Sequence, residues 1–168
     1  MAQRDEGRHE PGLSDALIDY DRVADVYDLY VTSDLDVGFY VAEAAKARGK
    51  VLELMCGTGR VSVPLLEAGV DLTCVDASEG MLERLEERLR AQKLEARVLR
   101  ADVRYLDLGE EEFDLALIPF HSFSELVSKR DQELALRAAY GCLKEGGASS
   151  ARCTTRPSEP GRPMAPSG

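Results

Sequence analysis

The stretch that decides the fold runs from Val51 to Gly59 and reads VLELMCGTG. Val51, Leu52 and Leu54 are apolar enough for a short buried strand. The closing G-x-G lacks two Cβ atoms, so the backbone can turn sharply there and a ligand can approach closely. Apolar residues then recur at helical spacing until Gly69, which is expected to end the helix. A strand, a glycine turn and a helix form the first crossover of a nucleotide-binding α/β sheet.

The composition indicates one acidic globular domain. The 168 residues are 44% hydrophobic, which gives enough apolar material for a buried core. A net charge of −10 argues against nucleic acid as a partner, because phosphate backbones are bound by clustered Lys and Arg. No apolar run approaches the roughly 20 residues of a membrane span, so no membrane partner is expected and the protein is predicted to be cytoplasmic. The four cysteines are scattered and only two histidines are present, so no metal site is predicted.

Two helical stretches precede the first strand. Residues 1–13 are polar and are predicted to form a disordered tail. A helix is predicted from Ser14, its cap, to about Val31, with Tyr20 and Tyr27 on its apolar stripe. That stripe either packs on the domain or covers a ligand, since tyrosine offers both a flat apolar face and a hydroxyl. The second stretch, Gly38–Arg48, leads into the strand, so residues 14–48 are predicted to supply lid helices.

Strands and helices alternate after the glycine turn. Three further strands are predicted, at Val70–Val75, Ala96–Ala101 and Phe113–Ile118. Ser78 is expected to cap the helix after the second strand, and Asp131–Leu143 is predicted to be a helix that Gly146-Gly147 stops. This alternation is typical of a parallel sheet covered by helices on both faces, which is a three-layer α/β/α Rossmann-like fold.

An acid follows each of two predicted strands. Asp76 lies 21 residues past Met55, close to the spacing of about 20 expected for a residue that holds a ribose. Its two oxygens can accept hydrogen bonds from both ribose hydroxyls. Asp102 occupies the corresponding position after the third strand.

The sequence changes character near residue 148. No apolar run follows Ala148, and four of the seven prolines lie between Pro157 and Pro166. Burial cannot offset the ordering entropy of such a segment, so residues 148–168 are predicted to be a disordered tail without a fifth strand.

Together these residues resemble the class I S-adenosylmethionine-dependent methyltransferases of small molecules, from about Tyr20 to Gly147. The family motif E/D-x-G-x-G-x-G appears as Glu53–Gly59, with Met55 in place of the first glycine. Met55 is expected to fit there without a positive φ. The second motif matches Val75–Ser78 with Met81-Leu82 behind it, and the third matches Ala101–Val103.

The resemblance implies S-adenosylmethionine as cofactor and a set of residues that bind it. Gly57 and Gly59 would contact its methionine portion, whose ammonium Glu53 would hold directly or through water. Asp76 would take the ribose hydroxyls and Asp102 the adenine amino group. The full predicted set is Tyr20, Tyr27, Glu53, Met55, Cys56, Gly57, Gly59, Asp76, Ala77, Met81, Asp102, Val103, Pro119 and Phe120.

Methyl transfer from this cofactor is an in-line displacement governed by positioning, because the methyl group is already activated by a cationic sulfur. A base is needed only where the acceptor must lose a proton. His121, just past the fourth strand, is the candidate for that role, and a hydrogen-bonded wall residue is the alternative. The acceptor is expected to be a small molecule that the sequence does not identify.

Two alternatives stay open at the level of sequence. In an NAD(P)-dependent oxidoreductase, Gly57-x-Gly59 and Asp76 would serve a dinucleotide, but Glu53 would bring negative charge close to its pyrophosphate. The other alternative is a non-catalytic S-adenosylmethionine-binding remnant. The resemblance implies seven strands, and the last ones are apparently missing after residue 148, as a truncation or frameshift would produce. The strand Phe113–Ile118 would then be an exposed apolar edge and would promote self-association.

Overall fold

The computed structural model describes residues 19–108, 113–119 and 122–151. The predicted tail at 1–13, the proposed cap Ser14, the site candidates Phe120 and His121, and residues 152–168 lie outside them. The helices are α1 (Tyr20–Tyr30), α2 (Val37–Ala44), α3 (Ser62–Glu67), α4 (Glu79–Gln92) and α5 (Lys129–Gly141). The strands are β1 (Lys50–Leu54), β2 (Leu72–Asp76), β3 (Arg97–Arg100), β4 (Phe113–Ile118) and β5 (Leu143–Ala151). Two short 3₁₀ turns, Val103–Tyr105 and Ser122–Glu125, follow β3 and β4.

The five strands form one parallel sheet in the order β3-β2-β1-β4-β5. Consecutive parallel strands need a crossover, and helices supply it here. The chain winds outward from β1 in both directions, which places the carboxyl ends of β1 and its neighbours along one edge. The predicted three-layer α/β/α fold is confirmed.

The two faces of the sheet bury separate apolar clusters. Alternation along β1 points Leu52 and Leu54 towards α5, and Val51 towards the layer of α2, α3 and α4. Helix α4 buries an apolar stripe against the sheet, which consists of Met81, Leu82, Leu85 and Leu89. Burial of each such side chain contributes about 1.5–3 kcal/mol, so both helical layers are held firmly on the sheet.

The predicted cap of α4 is also confirmed. The Ser78 hydroxyl accepts a hydrogen bond from the backbone nitrogen of Met81 at 3.2 Å. Such caps satisfy one of the donors that a helix leaves unpaired at its start. The start of α4 is therefore fixed directly after β2.

The carboxyl-terminal region differs from the prediction. Helix α5 ends at Gly141, before Gly146-Gly147, and β5 then runs from Leu143 to Ala151. The register of β4 against β5 shifts between Phe113↔Leu143 and Leu115↔Ala148, so the two glycines lie at an irregularity inside the strand. Glycines inside strands commonly mark such bulges.

The prediction failed because pairing uses backbone atoms, which side-chain composition does not reveal. Residues 148–151 belong to a strand, so the predicted disordered tail is wrong there. Since β5 pairs with β4, the fourth strand is not an exposed edge, and the self-association predicted from that edge loses its structural basis.

Candidate active site

A pocket of about 460 Å³ lies at the carboxyl ends of the strands. Its walls come from α1, the turn after β1, the ends of β2 and β3, and the segment that begins with the second 3₁₀ turn. This is the edge at which open α/β sheets bind ligands. The volume falls within the range of small-molecule and cofactor pockets, about 300–1,000 Å³.

Nine of the fourteen predicted cofactor residues line this pocket: Tyr20, Tyr27, Met55, Gly57, Asp76, Ala77, Met81, Asp102 and Val103. Among the described residues of the predicted set, Glu53, Cys56, Gly59 and Pro119 do not line it. The sequence pattern therefore identifies residues from the ends of β1, β2 and β3 that meet at one pocket, and four of its described residues lie outside the lining.

The turn after β1 is left-handed at three residues. Met55, Gly57 and Gly59 have φ values of +57°, +57° and +88°. The expectation that Met55 would avoid positive φ is wrong. A side-chain-bearing residue loses about 1–2 kcal/mol in this conformation, and the half-buried Met55 side chain packs against the apolar cluster beneath α5 in partial compensation.

Gly59 is required for packing against α4. A Cβ on this residue would lie 2.4 Å from Cδ1 of Leu85, a buried residue of α4. Its φ of +88° favours glycine independently. The second glycine of the G-x-G thus allows the turn to approach α4, while Gly57 lines the pocket.

Asp76 holds the turn after β1 to the turn after β2. Its Oδ2 accepts a hydrogen bond from the Gly57 backbone nitrogen at 2.8 Å, and its Oδ1 accepts one from the Ser78 nitrogen at 2.9 Å. Burial raises the pKa of this carboxyl, and the backbone donors oppose that rise. A carboxylate has about four lone-pair positions, so each oxygen retains one that can face the pocket.

Asp102 is paired with a neighbouring guanidinium. Arg104 donates from Nε and Nη2 to the Asp102 carboxylate at 2.5–3.1 Å, and its backbone nitrogen donates to Oδ1 at 2.9 Å. These bonds from Arg104 lower the pKa of Asp102. Arg104 also lies 3.4 Å from Asp131 of α5, and all three residues line the pocket.

Glu53 is sealed inside the protein. Its side chain is 1% exposed, and its Oε2 accepts a hydrogen bond from the Ser62 hydroxyl at 2.6 Å. Burial raises the pKa of Glu53 to about 8, and the Ser62 hydrogen bond opposes this effect. Glu53 is therefore protonated at neutral pH, so it carries no charge that a ligand ammonium would meet.

Helix α1 both covers the pocket and packs on the domain. The Tyr20 and Tyr27 rings meet edge to face, 5.9 Å apart, on the pocket side. The Tyr20 hydroxyl donates to Glu125 of the second 3₁₀ turn, and burial followed by this bond raises the Tyr20 pKa. Buried Ala24 faces α4. The two roles predicted as alternatives thus belong to different faces of one helix.

Acidic residues one turn apart fasten α1 to α4. Asp25 forms an ion pair with Arg84, and Asp28 forms one with Arg88. Asp28 also accepts a hydrogen bond from the Thr58 hydroxyl at 2.7 Å, which ties the helix to the glycine turn. Exposed ion pairs contribute little individually, so neither pair by itself determines the position of α1.

Sequence reasoning missed several charged residues of the pocket. Asp21 was detectable, because Asp21, Asp25 and Asp28 recur at helical spacing, as do Arg84 and Arg88. Arg104 and Glu125 left no such signal. Their partners are Asp102 and Tyr20, and the second pair is separated by 105 residues in the sequence.

Two features are absent from the residues that the structure describes. No group of three or more His, Cys, Asp or Glu side chains there is arranged to hold a metal ion. Within the same ranges, no helix combines the length and the apolar character needed to cross a membrane.

A doubly wound parallel sheet with a glycine turn after β1 and pocket-facing acids after β2 and β3 defines a nucleoside-binding α/β protein. The family model described as "Methyltransferase domain" matches residues 51–147, which is more than half of the chain. The chain belongs to this family of class I S-adenosylmethionine-dependent methyltransferases, whose cofactor is S-adenosylmethionine.

Individual relatives support the assignment. The chain is 37% identical over 98 residues to a glycine/sarcosine N-methyltransferase of Parasynechococcus marenigrum, covering 58% of this chain and 35% of that protein. It is 35% identical over 142 residues to the cypemycin N-terminal methyltransferase of a Streptomyces species, covering 80% of this chain and 56% of that protein. The solved structure of the CcbJ methyltransferase from Streptomyces caelestis superposes with a TM-score of 0.71 at 33% identity. The match covers 80% of this chain and 57% of that one. The chain thus spans about a third to just over half of the length of these proteins.

Proposed function

We propose that this domain binds S-adenosylmethionine in the pocket and takes part in methyl transfer to an amine nitrogen of a small molecule. The observation that carries the proposal is Asp76, whose carboxylate joins the glycine turn to the end of β2 and faces the pocket. The free lone pairs of its oxygens suit two ribose hydroxyls. Asp102 and Val103, one strand further along, suit the adenine ring.

The charge of the pocket favours a cationic ligand. Its lining carries six carboxyl groups, those of Asp19, Asp21, Asp76, Asp102, Glu125 and Asp131. Arg104 is the only Lys or Arg among the described lining residues. Such a pocket attracts a sulfonium or an ammonium, whereas it repels the pyrophosphate of a dinucleotide. This observation favours the methyltransferase over the oxidoreductase.

When bound, S-adenosylmethionine supplies a methyl group already activated by positive sulfur, so the chain has to orient the cofactor and the acceptor and enclose them. Asp76 and Asp102 fix the nucleoside portion. Tyr20 and Tyr27 cover the pocket from α1 and limit the access of water. Glu53 supports the turn from behind by binding Ser62 of α3, and Gly59 brings that turn against α4. His121 stays the predicted base, and a cytoplasmic location stays a prediction.

The amine acceptor is suggested by two relatives. The proteins named above act on glycine or sarcosine nitrogen and on the amino terminus of cypemycin, as their names state. An ammonium-bearing acceptor also suits the acidic lining near Glu125. Both arguments support nitrogen over oxygen or sulfur as the methylated atom.

Calorimetric titration tests the cofactor, and mass spectrometry tests the transfer. We expect micromolar binding of S-adenosylmethionine and S-adenosylhomocysteine, with no heat from NADH. Binding of NADH alone would establish the oxidoreductase instead. Labelled methyl transfer is then measured with glycine, sarcosine and a short peptide, against their hydroxy-acid counterparts. Methylation of the hydroxy acids alone would contradict the amine acceptor but not the cofactor. Binding without any turnover would support the non-catalytic alternative.

A further inference from the structure

A continuous series of hydrogen bonds connects α1 to the glycine turn. Asp21, in the first turn of α1, accepts with Oδ1 from the Ser78 hydroxyl at 2.6 Å and from the Gly80 backbone nitrogen at 2.9 Å. The Ser78 backbone nitrogen donates to Asp76, and the second oxygen of Asp76 accepts from the Gly57 nitrogen. Three segments far apart in sequence therefore share one network, which starts at Asp21.

The start of α4 is shaped to receive Asp21. A Cβ on Gly80 would lie 3.2 Å from the Asp21 carbonyl oxygen and 3.3 Å from the Ala24 Cβ, so glycine permits the close approach of α1. The bonds from Ser78 and Gly80 lower the pKa of Asp21, which therefore stays ionised. A carboxylate at a helix N-terminus is favoured in addition by the helix dipole.

Asp21 differs from Asp25 and Asp28 of α1 in the residues with which it forms hydrogen bonds. Asp25 forms an ion pair with Arg84, which lies more than one turn into α4. Asp28 meets Arg88 and Thr58. Of these three acids, only Asp21 forms a hydrogen bond with Ser78, the residue that also donates to Asp76. Asp21 also lines the pocket.

We infer that Asp21 is a positioning residue for the cofactor: by fixing Ser78 it holds the Asp76 carboxylate in the orientation that receives the ribose. The inference rests on the proposed function of the pocket. The covering helix is thus part of the nucleoside site. Its placement on α4 and the orientation of the ribose-binding acid are set by the same hydrogen bonds.

The test compares Asp21→Asn with Asp25→Asn, which removes the same charge from the same helix four residues away. Loss of a charge-assisted hydrogen bond lowers affinity by about tenfold. We expect that loss for S-adenosylhomocysteine with Asp21→Asn, and a change within about twofold with Asp25→Asn. Methylthioadenosine, which keeps the ribose and lacks the amino-acid portion, should show the same contrast.

A double-mutant cycle separates positioning from general stability. Asp21 and Ser78 act through one bond, so the loss of affinity in Asp21→Asn/Ser78→Ala should be smaller than the sum of the two single losses. Thermal unfolding of each variant reports stability separately. Equal losses from Asp21→Asn and Asp25→Asn, or strict additivity in the cycle, would overturn the inference. Absence of ligand binding by the wild-type protein would overturn the proposed function with it, so the two failures are distinguishable.

Discussion

Asp76 ends β2 and Asp102 lies two residues past the end of the neighbouring β3, and the surroundings of the two acids are opposite. Asp76 is largely enclosed and bound by backbone nitrogens from two turns, and burial raises its pKa. Asp102 is about one third exposed and paired with Arg104, which lowers its pKa. The same sequence signal, an acid directly after a predicted strand, therefore yields a carboxylate held by backbone nitrogens in one place and a carboxylate paired with a guanidinium in the other.

The difference shows that the neighbours of a carboxylate, and not only its residue type, determine how it can bind a ligand. The charge of Asp102 is already shared with a cation, so a ligand amino group has to compete for it. Asp76 accepts hydrogen bonds from the Gly57 and Ser78 backbone nitrogens, so its orientation is imposed by the protein. We therefore expect Asp76 to dominate cofactor affinity and Asp102 to refine it.

The largest effect is expected from Asp76→Ala. The change removes the ribose acceptor and leaves the Gly57 and Ser78 nitrogens without their partner, so affinity for S-adenosylhomocysteine should fall by about 100-fold or more. Calorimetric titration measures the loss. Asp71→Ala is the matched control, because Asp71 is an exposed acid just before the opposite end of β2. A loss below about threefold would break the comparison by removing Asp76 from the site.

Glu53, the penultimate residue of β1, extends the comparison to a buried carboxyl that accepts a hydrogen bond from the Ser62 hydroxyl. The pKa of Glu53 is about 8 in the folded protein, against an ordinary value of 4.5 in the unfolded chain. The unfolded state thus binds fewer protons between these values, and stability falls as the pH rises through that window.

Glu53→Gln should remove this dependence. Glutamine keeps the size of the side chain and an acceptor for the Ser62 hydroxyl, but it never ionises. The free energy of unfolding of the variant, relative to that of wild type, should be higher at pH 9 than at pH 5 by on the order of a few kcal/mol. Urea unfolding at both pH values measures the gain. An equal stability difference at pH 5 and pH 9 would show that Glu53 does not titrate in this range.

Asp102→Asn should have a smaller effect than Asp76→Ala. Asparagine can still accept from an adenine amino group, and Arg104 loses only its ionic partner, so affinity should fall by about threefold to tenfold. S-inosylhomocysteine, which carries an oxygen in place of that amino group, provides the control. Wild type should discriminate against it, and the variant should do so less. A loss equal to that of Asp76→Ala would erase the proposed ranking of the two acids.

These contrasts explain which parts of the site could be predicted. Strand positions, the G-x-G turn and the two acids follow from local patterns, and β1, β2 and their crossover bring them to one edge. The pairing of Asp102 with Arg104 and of Tyr20 with Glu125 depends on side-chain directions. Periodicity contains no information on those directions.

The fold shows the same division. The apolar strands β1 and β4 and the amphipathic α4 were predictable because burial selects their residues. Strand β5 was not, because its pairing with β4 needs only backbone donors and acceptors. Gly59 was predicted from a ligand motif, yet the reason for its missing Cβ is Leu85. A motif can thus be recognised correctly while the physical demand behind one of its residues is a different one.

The smallest effect concerns Met55, which holds a left-handed conformation in the turn after β1. In that conformation glycine is favoured over alanine, the reverse of the order in helices. Met55→Gly and Met55→Ala both lose the methionine packing, but only alanine keeps the strain. Met55→Gly should therefore be more stable than Met55→Ala by about 1 kcal/mol. Urea unfolding measures the difference, with Glu83→Gly and Glu83→Ala on the exposed face of α4 as controls in which alanine should be the more stable. The same order at both positions would mean that the turn relaxes when its side chain changes, so that Met55 stores no strain.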